Sequence, residues 1–127
     1  MTKPEVIPLH QIDRYRQAGL HLDMGDPLEA LKLLEPMADG LREHAAGQLL
    51  LGRAYYHSAQ LGKAQEALER AVSLAPTDAY VRFILGRTLQ RRSRHEEAGV
   101  QFRIAAALED RPEYSEHRDA HAQDTAA

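Results

Sequence analysis

Cysteine is absent from the 127 residues. That excludes a disulfide framework, a thiolate metal site and a cysteine nucleophile, and it is compatible with a reducing compartment. Neither charge sign dominates: 16 Lys and Arg stand against 19 Asp and Glu, a net −3, with both signs interspersed along the chain. A general nucleic-acid binder would show a strong basic excess, so no nucleic-acid partner is expected. No run of Val, Ile, Thr and aromatics reads as a strand. No stretch approaches the ~18 apolar residues of a membrane span, and the opening "MTKPEVIPLHQIDRY" holds no apolar segment of signal-peptide length. The expectation is a soluble cytoplasmic protein with no membrane partner. Serine is scarce, and Ser58, Ser73, Ser93 and Ser115 stand in no nucleophile-elbow context. Gly52, Gly62 and Gly86 are isolated and form no phosphate loop. No catalytic constellation emerges, so neither an enzyme activity nor a cofactor is expected.

What the chain does have is helix-forming composition, dominated by Ala, Leu, Arg, Glu and Gln. A chain of this length buries about two thirds of its unfolded surface without needing a covalent staple. Residues 1–8, with Pro4 and Pro8, read as a flexible lead-in. From Leu9 apolar residues recur every three or four positions until "MGDP" at 24–27, where Asp26 stands as an N-cap and Pro27 at the first helical position. The second helix carries Leu28, Leu31 and Leu34 on one face. Pro36 removes a backbone hydrogen bond and clashes with the preceding turn, at a cost of about 3 kcal/mol. The second helix therefore either ends near Glu35 or kinks there. Further helices are expected over about 43–58, 61–74, 78–92 and 94–108, with Asp78 capping the fifth. Pro112 closes the sixth, and a short polar helix "EYSEHRDAHAQ" leads into a disordered "DTAA" end.

The chain repeats itself at a fixed interval, the one that separates Gly52 from Gly86. Shifted by that amount, Leu51, Gly52 and Arg53 fall on Leu85, Gly86 and Arg87; Ala64 falls on Ala98, Leu68 on Phe102, Ala71 on Ala105 and Leu74 on Leu108. With less fidelity Ala18, Ala30, Leu34 and Met37 occupy the same frame one interval earlier. Antiparallel helices joined by a tight turn approach closely only where small side chains meet, so Gly52 with Ala64 and Gly86 with Ala98 are the expected contacts. One such unit cannot bury its apolar face alone, and stacking makes a continuous core.

These residues resemble the tetratricopeptide repeat family, whose signature combines a leading aromatic, Leu-Gly, a Tyr three residues on, a later Ala, an aromatic after it and a closing Pro. The middle unit, about 45–78, matches through Leu51-Gly52, Tyr55, Ala64, Ala71 and Pro76; the third, about 79–112, through Leu85-Gly86, Ala98, Phe102, Ala105 and Pro112. The first, about 11–44, is degenerate, with Ala18 and His21 in place of Gly and Tyr. Arg14, Gln48 and Arg82 stand where the family has its leading Trp. The resemblance implies an all-α, right-handed α-solenoid of three helix-turn-helix repeats over 9–112, with residues 113–127 as a C-terminal capping helix and disordered end. Tyr114 is expected to pack back on the sixth helix while Glu116, Arg118 and Asp119 face water.

In that family the first helix of each unit lines a concave groove that holds a peptide or helix of another protein. The residues expected there are Tyr15 and Leu22 from the first unit; Leu49, Arg53, Tyr56 and His57 from the second; Tyr80, Phe83, Arg87, Gln90 and Arg91 from the third. Aromatic and Arg side chains are the types that carry interface energy, and Arg pairs bidentately with carboxylates. The expected partner is a protein or peptide bearing carboxylates and an apolar anchor, and the expected role an adaptor or scaffold. Against this stand plainer readings, in which Phe83 and Tyr56 pack between helices and Arg53 and Arg87 pair with Glu66 or Asp78. One family subset clamps the C-terminal Glu-Glu-Val-Asp of heat-shock chaperones with Lys, Asn and Arg. Tyr15, Gly19, Leu50, Tyr80 and Ile84 occupy those positions here, which argues against that clamp. A dedicated chaperone for a secretion or assembly client is the alternative role, and Leu49, Tyr80 and Phe83, if exposed, would also suit a homodimer. His117 and His121, four apart on the terminal helix, lack a third ligand and read as solvated tail residues. His57 and His95 read as partly exposed residues near turns, and Glu66 with Arg70 as an ordinary surface pair.

Overall fold

The computed structural model describes residues 7–125. Seven α-helices follow in order: α1 Leu9–Asp23, α2 Pro27–Leu34, α3 Ala45–His57, α4 Leu61–Leu74, α5 Ala79–Arg91, α6 His95–Leu108 and α7 Pro112–Thr125. No strand occurs among the described residues. Pro36 ends α2 at Leu34, and the chain continues as a 3₁₀ segment over Glu35–Leu41 rather than as a kinked helix. The tighter winding suits a residue with no N–H to give to the α ladder. The chain divides into two compact units between Leu74 and Ala75.

In the first unit, α1 packs on α2, α2 on α3 and α3 on α4. Its core gathers Ala18, Leu22, Leu31, Leu34, Met37, Leu41, Leu50 and Leu51, all almost fully buried. Ile7 packs against this core, so the lead-in is seated at its last two residues, with Pro8 as the N-cap of α1. Residues 1–6 lie outside the described residues. In the second unit α5 packs on α6 and α6 on α7. Phe83, Phe102 and Tyr114 form the centre of that core, the Phe83 ring centroid lying 5.8 Å from that of Phe102 and 4.8 Å from that of Tyr114. The terminal helix is longer than the sequence suggests: Asp124 and Thr125, expected in a disordered end, are helical, and residues 126–127 lie outside the described residues.

Three turns join the paired helices, and each is built the same way. Gly25, Ala59 and Ser93, at the same place in successive repeats, have φ of +84°, +61° and +62°. In each, the following N–H reaches the carbonyl five residues back: Asp26 to His21 at 2.8 Å, Gln60 to Tyr55 at 2.8 Å and Arg94 to Leu89 at 2.9 Å. The left-handed residue's own N–H reaches the carbonyl three back, Gly25 to Leu22, Ala59 to Tyr56 and Ser93 to Gln90. This is the double-bonded helix end that satisfies two orphan carbonyls at once. Only the first turn uses glycine, so Ala59 and Ser93 hold a conformation that costs an L-residue about 1–2 kcal/mol.

At helix starts the caps differ. Asp78 accepts from the Tyr80 N–H at 3.0 Å and from the Val81 N–H at 3.3 Å, capping α5 as expected. Asp26 occupies the N-cap of α2 without a side-chain bond. His44 caps α3, its Nδ1 accepting from the Gly47 N–H at 2.8 Å.

The small residues of the repeat have a more specific purpose than helix approach in general. A Cβ on Gly52 would fall 2.6 Å from Leu68 Cγ, and one on Gly86 would fall 2.6 Å from Phe102 Cε1. Leu68 and Phe102, rather than Ala64 and Ala98, are thus the side chains that press on the two glycines. Both are fully buried, as are the two alanines.

Two opposite outcomes are expected from single substitutions. Gly52→Ala and Gly86→Ala each overpack a filled site and lower stability by about 1–3 kcal/mol, the rigid Phe102 ring making Gly86→Ala the worse. Ala59→Gly and Ser93→Gly relieve the left-handed backbone and raise stability by about 1 kcal/mol. Urea denaturation midpoints read all four, and a Gly86→Ala chain as stable as the parent contradicts the packing described.

Candidate functional site

Successive residues on an α-helix are rotated by about 100°, which sorts α3 into stripes. Gly47, Leu50, Leu51 and Ala54 are buried in the core of the first unit. Leu49, Arg53 and Tyr56 fall on one side, with His57 adjoining. Leu49 and Tyr56 are half-buried and His57 is exposed, and the Tyr56 and His57 rings meet edge to face at 5.2 Å. The Arg53 side chain keeps 28% of its surface open, with Nη2 3.7 Å from Asp23 Oδ1 at the end of α1. Neither Glu66 nor Asp78 is its partner. Such an open ion pair contributes about 0–1 kcal/mol, so it yields readily to a competing carboxylate. Tyr15 is half-buried, its ring edge on His44 at 5.9 Å, and burial pushes its hydroxyl above the ordinary tyrosine value. Leu22 is 6% exposed and belongs to the core, which removes it from the expected groove.

In the second unit, α5 carries the corresponding stripe. Tyr80 is exposed, positioned by the Asp78 cap at the start of its helix. Arg87 and Gln90 are half-buried and Arg91 is exposed. Phe83 does not belong to this open stripe. It is 2% exposed, enclosed by Phe102, by Tyr114 at 4.8 Å and by His117 at 4.8 Å. The terminal helix covers it, and the Arg87 guanidinium lies 5.9 Å from its ring centroid. Leu49, its counterpart one repeat earlier, is half-buried.

His121 is not a solvated tail residue. It is 2% exposed, and its Nε2–H donates to the backbone carbonyl of His95. His117 is half-buried against Phe83 and Phe102. These histidines hold α7 to α6 through ring contacts that the hydrophobic pattern of a polar helix does not reveal. No group of three or more His, Cys, Asp or Glu among the described residues is placed to hold a metal ion. No helix among them is long and apolar enough to cross a membrane.

Two features escaped the sequence. Leu20, Met24 and Leu28, at the α1–α2 corner, are 60%, 68% and 61% exposed. Behind α3, a pocket of about 260 Å³ opens between the 3₁₀ segment, α3 and α4, with Gln48 and Leu51 at its floor. Glu66 and Arg70, at its rim, form no ion pair with each other.

Paired antiparallel helices that recur at one fixed interval, with glycine pressed under the second helix of the pair and an arginine one residue on, define a helical-hairpin repeat protein. The chain belongs to the tetratricopeptide repeat family, whose model matches residues 21–92. Among solved structures, the first TPR domain of Spaghetti bound to the HSP90 peptide SRMEEVD has a TM-score of 0.86 at 16% identity, covering 98% of this chain and 100% of that one. The Yersinia enterocolitica type III secretion chaperone SycD, in complex with a peptide of the translocator YopD, has a TM-score of 0.82 at 16% identity, covering 96% and 99%. MamA from Desulfovibrio magneticus RS-1 is 31% identical over 80% of this chain, with a TM-score of 0.74; the match spans 57% of that chain. No curated protein sequence matches the chain.

The burial of Phe83 gives a direct test. Phe83→Ala removes a ring enclosed on several sides and lowers stability by about 3–5 kcal/mol. Tyr80→Ala, three residues away and exposed, changes it by no more than about 0.5 kcal/mol. Thermal melts followed by circular dichroism separate the two, and equal melting points for both variants contradict the assignment of Phe83 to the core.

Proposed function

We propose that this chain is a non-enzymatic protein-interaction module, an adaptor that holds a peptide or helix of a partner along the first-helix stripes of its repeats. The repeat division at about 11–44, 45–78 and 79–112 belongs to the same proposal. The observation that carries it is the recurrence of Arg53 and Arg87 at the same place in successive repeats, each beside solvent-open aromatic or amide side chains of its own helix. Arg supplies bidentate pairing to a carboxylate, and Tyr56 and Tyr80 supply contact area of the kind that concentrates binding energy. With Leu22 and Phe83 enclosed, the contacting set is Tyr15, Leu49, Arg53, Tyr56, His57, Tyr80, Arg87, Gln90 and Arg91. The peptide complexes of Spaghetti and of SycD support use of this fold for polypeptide capture. The departures at Tyr15, Gly19, Leu50, Tyr80 and Ile84 keep a Glu-Glu-Val-Asp clamp out of the proposal.

A second reading, a chaperone dedicated to one secretion or assembly client, draws on the near-complete structural overlap with SycD. Co-expression with candidate clients separates the two: a chaperone yields a stoichiometric complex and a soluble client, whereas an adaptor leaves client solubility unchanged.

The charge reversal Arg53→Glu with Arg87→Glu tests the adaptor reading itself. Partners recovered by affinity capture from the native cell with the wild-type chain, and scored by mass spectrometry, are expected to lose at least tenfold in affinity for the double variant, equivalent to about 1.4 kcal/mol. The far-ultraviolet circular dichroism is expected to stay unchanged. Undiminished capture by the double variant removes the two stripes as the binding face.

A further inference from the structure

The pocket behind α3 presents chemistry that neither the core nor the first-helix stripe uses. Gln48 is 2% exposed. Its Nε2 donates to the Leu41 carbonyl at 2.8 Å, while its Oε1 is buried with no hydrogen-bond partner. The amide orientation is fixed by that bond, because the flipped form would set two acceptor oxygens against each other. An unsatisfied buried carbonyl of this kind costs about 1–3 kcal/mol, and Gln48 is one of the residues that line the pocket.

The rim around it carries Arg42, Lys63 and Arg70 against Asp39 and Glu66, so cations exceed acids by one. Among the described residues, none of the two arginines and two acids is held in an ion pair. Lys63 lies over the Tyr55 ring, 5.7 Å from its centroid. The Tyr55 hydroxyl donates to Glu35 Oε2 at 2.8 Å; burial, reinforced by that carboxylate, pushes its pKa up to about 12, so it stays protonated and keeps Glu35 engaged. The volume of about 260 Å³ is below the ~300–1,000 Å³ of sites that enclose whole small molecules. It suits one or two residues of an extended chain.

We propose that this pocket docks an acidic segment of a partner polypeptide, with a carboxylate between Arg42 and Arg70 and a main-chain N–H donated to Gln48 Oε1. Gln48, Leu51 and Tyr55 recur at three and four residues on α3, about 130° around the helix from Leu49, Arg53 and Tyr56 by the 100° step. The site is therefore separate from the stripe of the proposed function and does not depend on it.

The probe is the blocked tetrapeptide acetyl-Asp-Glu-Asp-Glu-amide, titrated into ¹⁵N-labelled full chain, with acetyl-Asn-Gln-Asn-Gln-amide as the neutral counterpart. The Gln48 side-chain amide and the Arg70 Nε–H resonances are expected to shift saturably with the acidic peptide and not with the neutral one. Arg42→Gln with Arg70→Gln, both at exposed positions and so compatible with folding, is expected to weaken that binding at least fivefold. Arg53→Glu with Arg87→Glu is expected to leave it unchanged. Resonances that do not move mean that the pocket holds water only, and overturn the proposal. Equal shifts with the neutral peptide, shifts confined to Arg53 and Arg87, or undiminished binding by the Arg42 and Arg70 variant overturn it as well.

Discussion

Everything else in each unit depends on how closely the two helices of a hairpin approach where a glycine lies under a large side chain. Leu68 over Gly52 and Phe102 over Gly86 leave no room for even one added carbon. Interiors are packed to crystal density, so a hairpin held at this distance is fixed in rotation as well as separation. That rotation settles which residues of α3 and α5 enter the core and which remain outside. The arginine one residue after each glycine is about 100° away from it, and so emerges on the open side in both units. The packing residue and the open cationic residue are thus adjacent letters of the same motif.

The turns reinforce this frame locally. Gly25, Ala59 and Ser93 put the left-handed residue at the same place in each hairpin and make the same pair of backbone hydrogen bonds. In two of three cases the residue is not one that favours the conformation. Tertiary packing therefore imposes the turn, and the backbone hydrogen bonds it completes offset part of the strain. A motif that tolerates unfavourable residues at its hinge is governed by its helix contacts rather than by its turn sequence.

The repeat was legible because it is written in residue types with a steric meaning. Period, helix pairs, the cap at Asp78, the helix start at Pro27, and the small residues at positions 52 and 86 all follow from the sequence alone. What was not legible depends on neighbours that periodicity does not name. Phe83 and Leu49 occupy the same place in the repeat, yet the first is enclosed because Tyr114 and His117 of α7 cover it. His121 looked solvated because its helix is polar all round; its burial comes from packing on His95 and Phe102 of α6 and from a hydrogen bond to the His95 carbonyl. Leu22 fell to the core because the α1–α2 packing takes it there. Gln48, in the place of the family's tryptophan, read as a mere departure from pattern. Only the structure shows that its shorter side chain reaches the Leu41 carbonyl and leaves a buried oxygen without a hydrogen-bond partner.

A helix of 13 residues thus carries three different surfaces, and their arrangement explains the composition of α3. The core stripe takes Leu and Ala, and Gly52 meets α4 at the tightest point. The stripe with Arg53 and Tyr56 stays partly open to solvent, and Arg53 makes a weak ion pair to Asp23, so charge and aromatic character cost little there. The third stripe is the anomaly: a buried amide with half its hydrogen-bonding capacity unused. An apolar side chain of similar size would satisfy packing at that position without the desolvation cost. Stability alone therefore does not account for Gln48, whereas the docking proposed for its pocket would satisfy the unused oxygen.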